Sequence, residues 1–481
     1  MVENLKKETA KGVVWSGIER FASGGILFLA NIFLARILSP DDFGLLAVVA
    51  VFVQISQTLI DSGFSNALIQ KKDRSQEDYS TVFIFNLAIS IGFYLILYLC
   101  APLVAHFFNS EKLTSLTRVI GLSLIVGALI SVHKTRLTIE LRFKIQSLIT
   151  LMASAVSAVT AILMAYKGFG VWSLVVLSLM NISLQVILIY AFIRWRPSLM
   201  FSIRSFKKLF SYSSKLLGAS LIHLLYKNIY PIVIGKRFTP LQLGYFNRAD
   251  TFAMYVPSTV GQVFSRVAFP IFSRVQDNNE RLRNAYSKYI FYASLIIFPI
   301  MVGMIVLAKP LTILILKDKW LPMVPMLQIL CIDWMFDHLN MINLNVLYVK
   351  GRSDIAFRNE IIKKTLAFII FFISLYWGII GVCWGRVLYG IIAIYINSYY
   401  TKKLIGLGLY QQIKDIQKPL LYAWLMGVAV WLSNSLNCEL EYSIIMSILV
   451  GIISYVGIIY MMDRKDFDEI RSIFKSKTTY N

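Results

Sequence analysis

The sequence predicts an all-α polytopic membrane protein. About fourteen transmembrane helices are expected, in two six-helix lobes related by a parallel pseudo-two-fold repeat, with two extra helices at the C-terminal end. Three observations predict this. The 481-residue chain is 57% hydrophobic and only 15% charged, with a mean hydropathy of +0.66, whereas a soluble domain is about a quarter charged. Apolar runs of roughly 20 residues recur from end to end, each long enough to cross a bilayer core of about 30 Å. Finally, Leu38-Ser39-Pro40-Asp41-Asp42-Phe43-Gly44 returns as Phe238-Thr239-Pro240-Leu241-Gln242-Leu243-Gly244, 200 residues later and without a gap.

The apolar runs place spans at 12–35, 44–68, 81–105, 114–133, 146–166, 170–193, 210–235, 244–271, 287–308, 321–348, 362–378, 379–400, 419–433 and 443–462. The first run is longer than a signal-peptide core and ends without a small-residue cleavage pattern, so it reads as a signal-anchor and first span. Spans 1–6 make an N-lobe (1–200) and spans 7–12 a C-lobe (201–402). Residues 403–481 hold the extra pair and a tail.

Orientation follows from the cations. With the N-terminus placed inside, and the span-edge residues Lys288, Lys363 and Lys364 counted with the connections they adjoin, 33 Lys and Arg fall in the inner connections and 8 in the outer ones. That asymmetry predicts cytoplasmic N- and C-termini. It also accounts for the formal charge of +22, so no nucleic-acid partner is needed. Cys100, Cys331, Cys383 and Cys438 are scattered without metal-ligand spacing. No metal, cofactor or catalytic residue is expected, and the outer connections are too short to carry an enzyme's acid–base loop.

Each copy of the repeated motif reads as a capped helix start. Ser39 or Thr239 is the N-cap, Pro40 or Pro240 the first helical residue, and Asp42 or Gln242 the third position of a capping box. Both turns fall on the outer face. Spans six apart then share an orientation, which makes the repeat parallel, with its axis along the membrane normal.

Ionised residues inside spans cost about 2.5–3.5 kcal/mol each on insertion scales and therefore face a bundle interior or a water-filled cavity. Span 1 carries Ser16, Arg20, Ser23 and Asn31 within about 60° of one another on a helix. Span 7 carries Ser213, Ser220, His223 and Lys227 on one stripe, and the 200-residue offset lays the first stripe on the second. Span 8 carries Arg248, Thr251, Tyr255, Thr259, Gln262 and Arg266. If these stripes converge, Arg20, Lys227, Arg248 and Arg266, with His223 and Asn31, line a cavity of positive balance against Glu19 and Asp250. Such a cavity attracts an anion, and arginine matches phosphate geometry. Glu19, Asp333, Asp337 and His338 are the candidates for a coupling-ion site taking H+ or Na+. Each has a structural alternative. Arg20 could pair with Glu19, Arg248 and Arg266 could snorkel to the interfaces, and Asp333 and Asp337 could pair with Arg386 to hold the lobe together.

Lys11-Gly12-Val13-Val14-Trp15-Ser16-Gly17, Ala35-Arg36-Ile37-Leu38-Ser39-Pro40-Asp41-Asp42-Phe43-Gly44 and Asp61-Ser62-Gly63-Phe64 resemble the Wzx-type polysaccharide exporters, nearest to the colanic-acid and teichuronic-acid group. Gly244-Tyr245-Phe246-Asn247-Arg248-Ala249 and Phe269-Pro270-Ile271-Phe272-Ser273-Arg274 are similar to that group as well. These exporters belong to the multidrug/oligosaccharidyl-lipid/polysaccharide (MOP) superfamily, with the MATE drug antiporters and the lipid II flippases. The resemblance implies a MATE-like pair of lobes alternating between inward-open and outward-open states. It implies a substrate of undecaprenyl-pyrophosphate-linked oligosaccharide, carried from the cytoplasmic to the outer leaflet of a bacterial plasma membrane, with membrane lipid and other polysaccharide-assembly proteins as further partners. It also implies a lipid-tail role for spans 13 and 14. A lipid II-type flippase and a MATE-type drug:cation antiporter are the alternatives, and the positive cavity argues against the second.

Overall fold

A computed structural model describes Trp15, Gly17 and residues 19–464 apart from 62, 72, 436–438 and 463. Side chains at 20, 21, 212, 214–223, 225–227, 266, 267 and 270 also lie outside the described set. The described chain is helical throughout, with no strand. Eight of its helical stretches are long and apolar enough to cross a membrane.

The chain divides into two compact units, Met1–Asn247 and Arg248–Asn481. In the first, a π-helical turn over Glu19–Ser23 leads into α1 (Gly24–Ile37). There follow α2 (Pro40–Asp61), α3 (Phe64–Gln70), α4 (Gln76–Phe107), α5 (Lys112–Ile139), α6 (Phe143–Tyr166), α7 (Trp172–Phe192), α8 (Ile203–Arg237) and the first turns of α9 (Pro240–Arg274). Span 2 of the sequence reading is thus two helices, broken at Gly63, whose φ of 76° is left-handed. Both expected capping boxes are present. Ser39 Oγ and its backbone N donate to Asp42 Oδ2 at 2.8 and 3.0 Å, and Asp42 N donates back to Ser39 Oγ at 3.3 Å. In the second copy Thr239 N donates to Gln242 Oε1 at 3.4 Å and Gln242 N to Thr239 Oγ1 at 3.2 Å.

The packing boundary falls inside α9, whereas the sequence reading expects lobes meeting at 200/201. Packing and repetition are different quantities: α8 packs on α2, α3 and α4 and so joins the first unit. The aromatic cluster of Phe64, Phe85, Phe206 and Phe210 fixes that packing, with ring centroids 4.8–6.2 Å apart. The connection between α7 and α8 is strapped to the start of α4. Trp195 Nε1 donates to Gln76 Oε1 (2.6 Å), Gln76 Nε2 to the Arg196 carbonyl (2.9 Å), Ser198 N to Ser80 Oγ (3.0 Å) and Ser202 N to Thr81 Oγ1 (3.0 Å). Asp78 anchors the same corner. It takes Lys71 Nζ at 2.5 Å and hydrogen bonds from Ser75 and Ser205.

The second unit holds the rest of α9, then α10 (Asn279–Val306), α11 (Ala308–Leu316), a 3-10 turn, α12 (Val324–Met335), α13 (Asp337–Val349), α14 (Ser353–Ser374), α15 (Gly378–Ile405), α16 (Leu409–Asn434) and α17 (Leu440–Met462). The close pair α14/α15 reverses through a 3-10 turn at Leu375–Trp377 and Gly378, whose φ of 71° suits glycine. Span 10 is also discontinuous: α12 ends and α13 begins on either side of Phe336.

The distribution of polarity is that of a protein in lipid. Leu99, Leu103 and Ile453 are exposed, while Ser154, Ser157, Ser294 and Asn343 are buried. Contiguous apolar surface of this extent has no stable contact with water, and the hydrocarbon region supplies its solvent.

Candidate functional site

Three ionised side chains of the second unit, Arg386, Asp250 and Asp333, meet near the break in span 10. Arg386 projects from the middle of α15 and bridges two carboxylates: Nη1 lies 2.6 Å from Asp250 Oδ1 on α9, and Nη2 lies 2.7 Å from Asp333 Oδ2 on α12. Trp334 Nε1 donates to the same Asp250 Oδ1 at 2.8 Å, and the Arg386 guanidinium lies 5.5 Å from the Trp334 ring centre. Gly390, one turn beyond Arg386, leaves room for Asp333; a Cβ there would sit 3.1 Å from Asp333 Oδ1. The planar guanidinium can serve two carboxylates at once in a way an ammonium cannot.

Asp337 follows at the first position of α13 and is half-buried. Its charged surroundings are Asp333, Arg386 and the α14 pair Lys363 and Lys364, both of which are engaged by Glu360. Its position at a helix N-terminus suits a negative charge. His338 is buried and satisfied, with Nε2 2.9 Å from Ser294 Oγ and Nδ1 3.0 Å from the Met335 carbonyl oxygen. The expected coupling-ion candidates therefore occupy three environments. Asp333 is ion-paired, His338 is held by hydrogen bonds, and Asp337 adds a carboxylate to a cluster that already has two carboxylates and one guanidinium.

Arg248 is buried at 7% exposure, with its guanidinium 5.8 Å from the ring centre of fully buried Trp320. It does not reach an interface by snorkelling. In the first unit, Glu19 sits in the π-helical turn and accepts from Thr150 Oγ1 at 3.2 Å and Gln146 Nε2 at 3.4 Å, tying that turn to α6. Asn31 is half-buried on α1 and donates to the Leu27 carbonyl one turn back. The side chains of Arg20, His223, Lys227 and Arg266 lie outside the described set, and with them most of the span 7 stripe.

A second polar centre was not anticipated from the sequence. Asn343 on α13 joins four helices in a buried network. Its Oδ1 accepts from Tyr286 Oη on α10 (2.6 Å), Thr401 Oγ1 on α15 (2.8 Å) and Gln412 Nε2 on α16 (3.0 Å), while its Nδ2 reaches Gln412 Oε1 at 3.0 Å. The reciprocal amide pair ties α16 into the second unit. Its only sequence signal was the presence of amides within apolar runs, which does not reveal their partners.

The fold and this buried chemistry define a polytopic helical membrane protein that carries its ionised groups inside. The chain belongs to the polysaccharide biosynthesis protein family, whose model matches residues 33–325. It is 25% identical to the teichuronic acid biosynthesis protein TuaB of Bacillus subtilis, over 94% of this chain and 95% of that one. It is 26% identical to the succinoglycan biosynthesis transport protein ExoT of Rhizobium meliloti, over 68% of this chain and 66% of that one. Among solved structures it is similar to the lipid II flippase MurJ in an inward closed conformation. That match has a TM-score of 0.74 and 17% identity, and covers 94% of this chain and 99% of that one. At this identity the likeness is one of fold.

Proposed function

We propose that the protein is a flippase for lipid-linked oligosaccharide in the assembly of a cell-surface polysaccharide. The observation that carries this reading is the alignment, along nearly the whole chain, with a relative named for surface-polysaccharide biosynthesis, joined to a second named for transport. The flippase-like fold and the buried charges agree with it. The substrate is an oligosaccharide on undecaprenyl pyrophosphate, moved from the cytoplasmic to the outer leaflet of the bacterial inner membrane by alternating access, without covalent chemistry. Fourteen spans, cytoplasmic termini and lobes at 1–200 and 201–402 with an extra pair in 403–481 complete the topology.

In this reading the pyrophosphate meets Arg20, Lys227 and Arg248, with Arg266, His223 and Asn31 nearby. Arginine supplies bidentate charge-assisted bonds to phosphate oxygens, and the polyprenyl tail remains in lipid. H+ or Na+ coupling uses Asp337, Asp333, His338 or Glu19. Among these, Asp337 is favoured because the Arg386 guanidinium already occupies the position between Asp250 and Asp333.

Deleting the gene and identifying the polyprenyl-linked intermediate that accumulates tests the substrate. An undecaprenyl-pyrophosphate oligosaccharide is expected. Accumulation of lipid II, or drug sensitivity without any lipid-linked intermediate, overturns the reading. Charge-neutral replacements at Arg20 and Lys227 that leave transport of that intermediate intact would rule out the binding residues.

A further inference from the structure

The two copies of the repeated motif touch each other. Gly44 on α2 lies so close to the first turn of α9 that a Cβ there would overlap the Pro240 carbonyl. Gly244 stands to Pro40 in the same way, since a Cβ at Gly244 would overlap the Pro40 carbonyl. Under the 200-residue offset, 44 maps to 244 and 40 to 240. The contacts 44–240 and 244–40 are therefore one contact made twice with the partners exchanged. That reciprocity is the signature of a two-fold interface, in which residue i meets j and j meets i. Equivalent groups in such an arrangement meet at the two-fold axis itself.

The surroundings are equally close. Gly235, on the last turn of α8, is tightly enclosed: a Cβ would stand 3.0 Å from Phe108, 3.2 Å from Leu243 and 3.3 Å from Val48, so those side chains would have to give way. Pro40, Phe43, Gly44, Leu45, Leu243, Gly244 and Phe246 are all buried. Small residues that let backbones touch are the means by which helices associate in lipid, where there is no hydrophobic drive between them. Backbone contact of this kind depends steeply on separation and is either made or lost.

We infer that the Pro40–Gly44 and Pro240–Gly244 turns form a plug at the outer end of the repeat axis, and that this plug parts and re-forms in each transport cycle. This rests on the flippase reading. A passage between two repeats related by an axis along the membrane normal runs along that axis. The cation distribution puts both turns on the outer face, so their crossing lies over the outer mouth. The glycines are then conserving a closed state rather than touching substrate: any side chain at 44 or 244 wedges the turns apart.

The test uses the full chain with its four cysteines replaced and a cysteine pair at Asp41 and Leu241, which flank the crossing. Spin labels on that pair report the separation in proteoliposomes without substrate. A short-distance population is expected with native glycines, and Gly44→Ala or Gly244→Ala should shift it by about tenfold towards longer distances. The same cysteine pair, joined by a short bis-thiol reagent that reductant cleaves, should block movement of lipid-linked oligosaccharide, and cleavage should restore it. Normal transport by the joined protein overturns the inference and makes the crossing a fixed pivot. Unchanged distances in both alanine variants overturn it as well. If the uncrosslinked pair protein moves no oligosaccharide while the distances behave as expected, the fault lies with the substrate reading and not with the plug.

Discussion

The Nη2 of Arg386 lies 2.7 Å from Oδ2 of Asp333, so the middle of α15 is pinned to the last turn of α12 just before span 10 breaks. The other arm of the guanidinium holds Asp250. Removing Arg386 leaves two carboxylates with no guanidinium between them, Asp333 the more enclosed at 12% exposure and Asp250 at 27%. Arg386→Leu is expected to cost about 3–5 kcal/mol, as for other broken interior ion pairs. Arg386→Lys should recover only part of this, since an ammonium cannot span both acids. Thermal melting in detergent, with the Asp333→Asn and Arg386→Leu double-mutant cycle, measures the coupling.

Asp337 should behave in the opposite manner. It contributes a carboxylate to the cluster but makes no ion pair among the described residues, so Asp337→Asn should leave the melting temperature within a few degrees, a change of roughly 1 kcal/mol or less. Transport driven by an imposed H+ or Na+ gradient should nonetheless fall sharply. A variant that melts as the parent does and retains gradient-driven transport would remove Asp337 from the coupling machinery.

The Asn343 network predicts non-additivity. Asn343→Leu strands the Tyr286 hydroxyl and the Gln412 amide, while the Thr401 hydroxyl keeps the Asn397 carbonyl, at a cost of about 2–4 kcal/mol. Gln412→Leu strands fewer groups and should cost about 1–3 kcal/mol. The double variant should lose less than the sum, because each single change already breaks the reciprocal amide bonds. Chemical denaturation followed by fluorescence of the parent and the three variants gives the interaction energy.

Asp78 sets an acid limit at the corner where the α7–α8 connection meets the head of α4. Burial acts to raise its pKa, but Lys71, Ser205 and the Ser75 backbone outweigh that and hold the carboxyl at about 2. A depressed folded-state value stabilises the protein above the unfolded carboxylate value of about 3.9, and that stability disappears as pH falls from there towards 2. The melting temperature of the parent should drop through this window. Asp78→Asn should begin lower and show a shallower acid dependence.

What could be read in the sequence was local or periodic. The capping boxes at Ser39 and Thr239 depend on residues three apart, and the helices follow the apolar runs because lipid admits little else. The breaks at Gly63 and Phe336 escaped notice because hydropathy continues across them. The ion cluster was half legible: Asp333 and Arg386 were visible as costly charges, but Asp250 lies 136 residues from Arg386 and nothing in the intervening chain ties them. Arg248 reads in the sequence as a cavity cation with snorkelling as its structural alternative, and its burial on Trp320 depends on a turn more than 70 residues later. The Gly44–Pro240 contact was invisible for a simpler reason. A glycine records that space is needed, but not what fills it.

The strap of Trp195, Ser198 and Ser202 on the head of α4 limits where this polypeptide can be cut. Connections between long helices are common places to nick, permute or insert a tag, because they are assumed to hang free. Here the stretch is stitched to Gln76, Ser80 and Thr81. A split protein divided at 193–202 would have to rebuild those stitches between two separate molecules. The turn at Gly406–Gly408, between α15 and α16, offers a better seam, and fragments divided there should reassemble more readily.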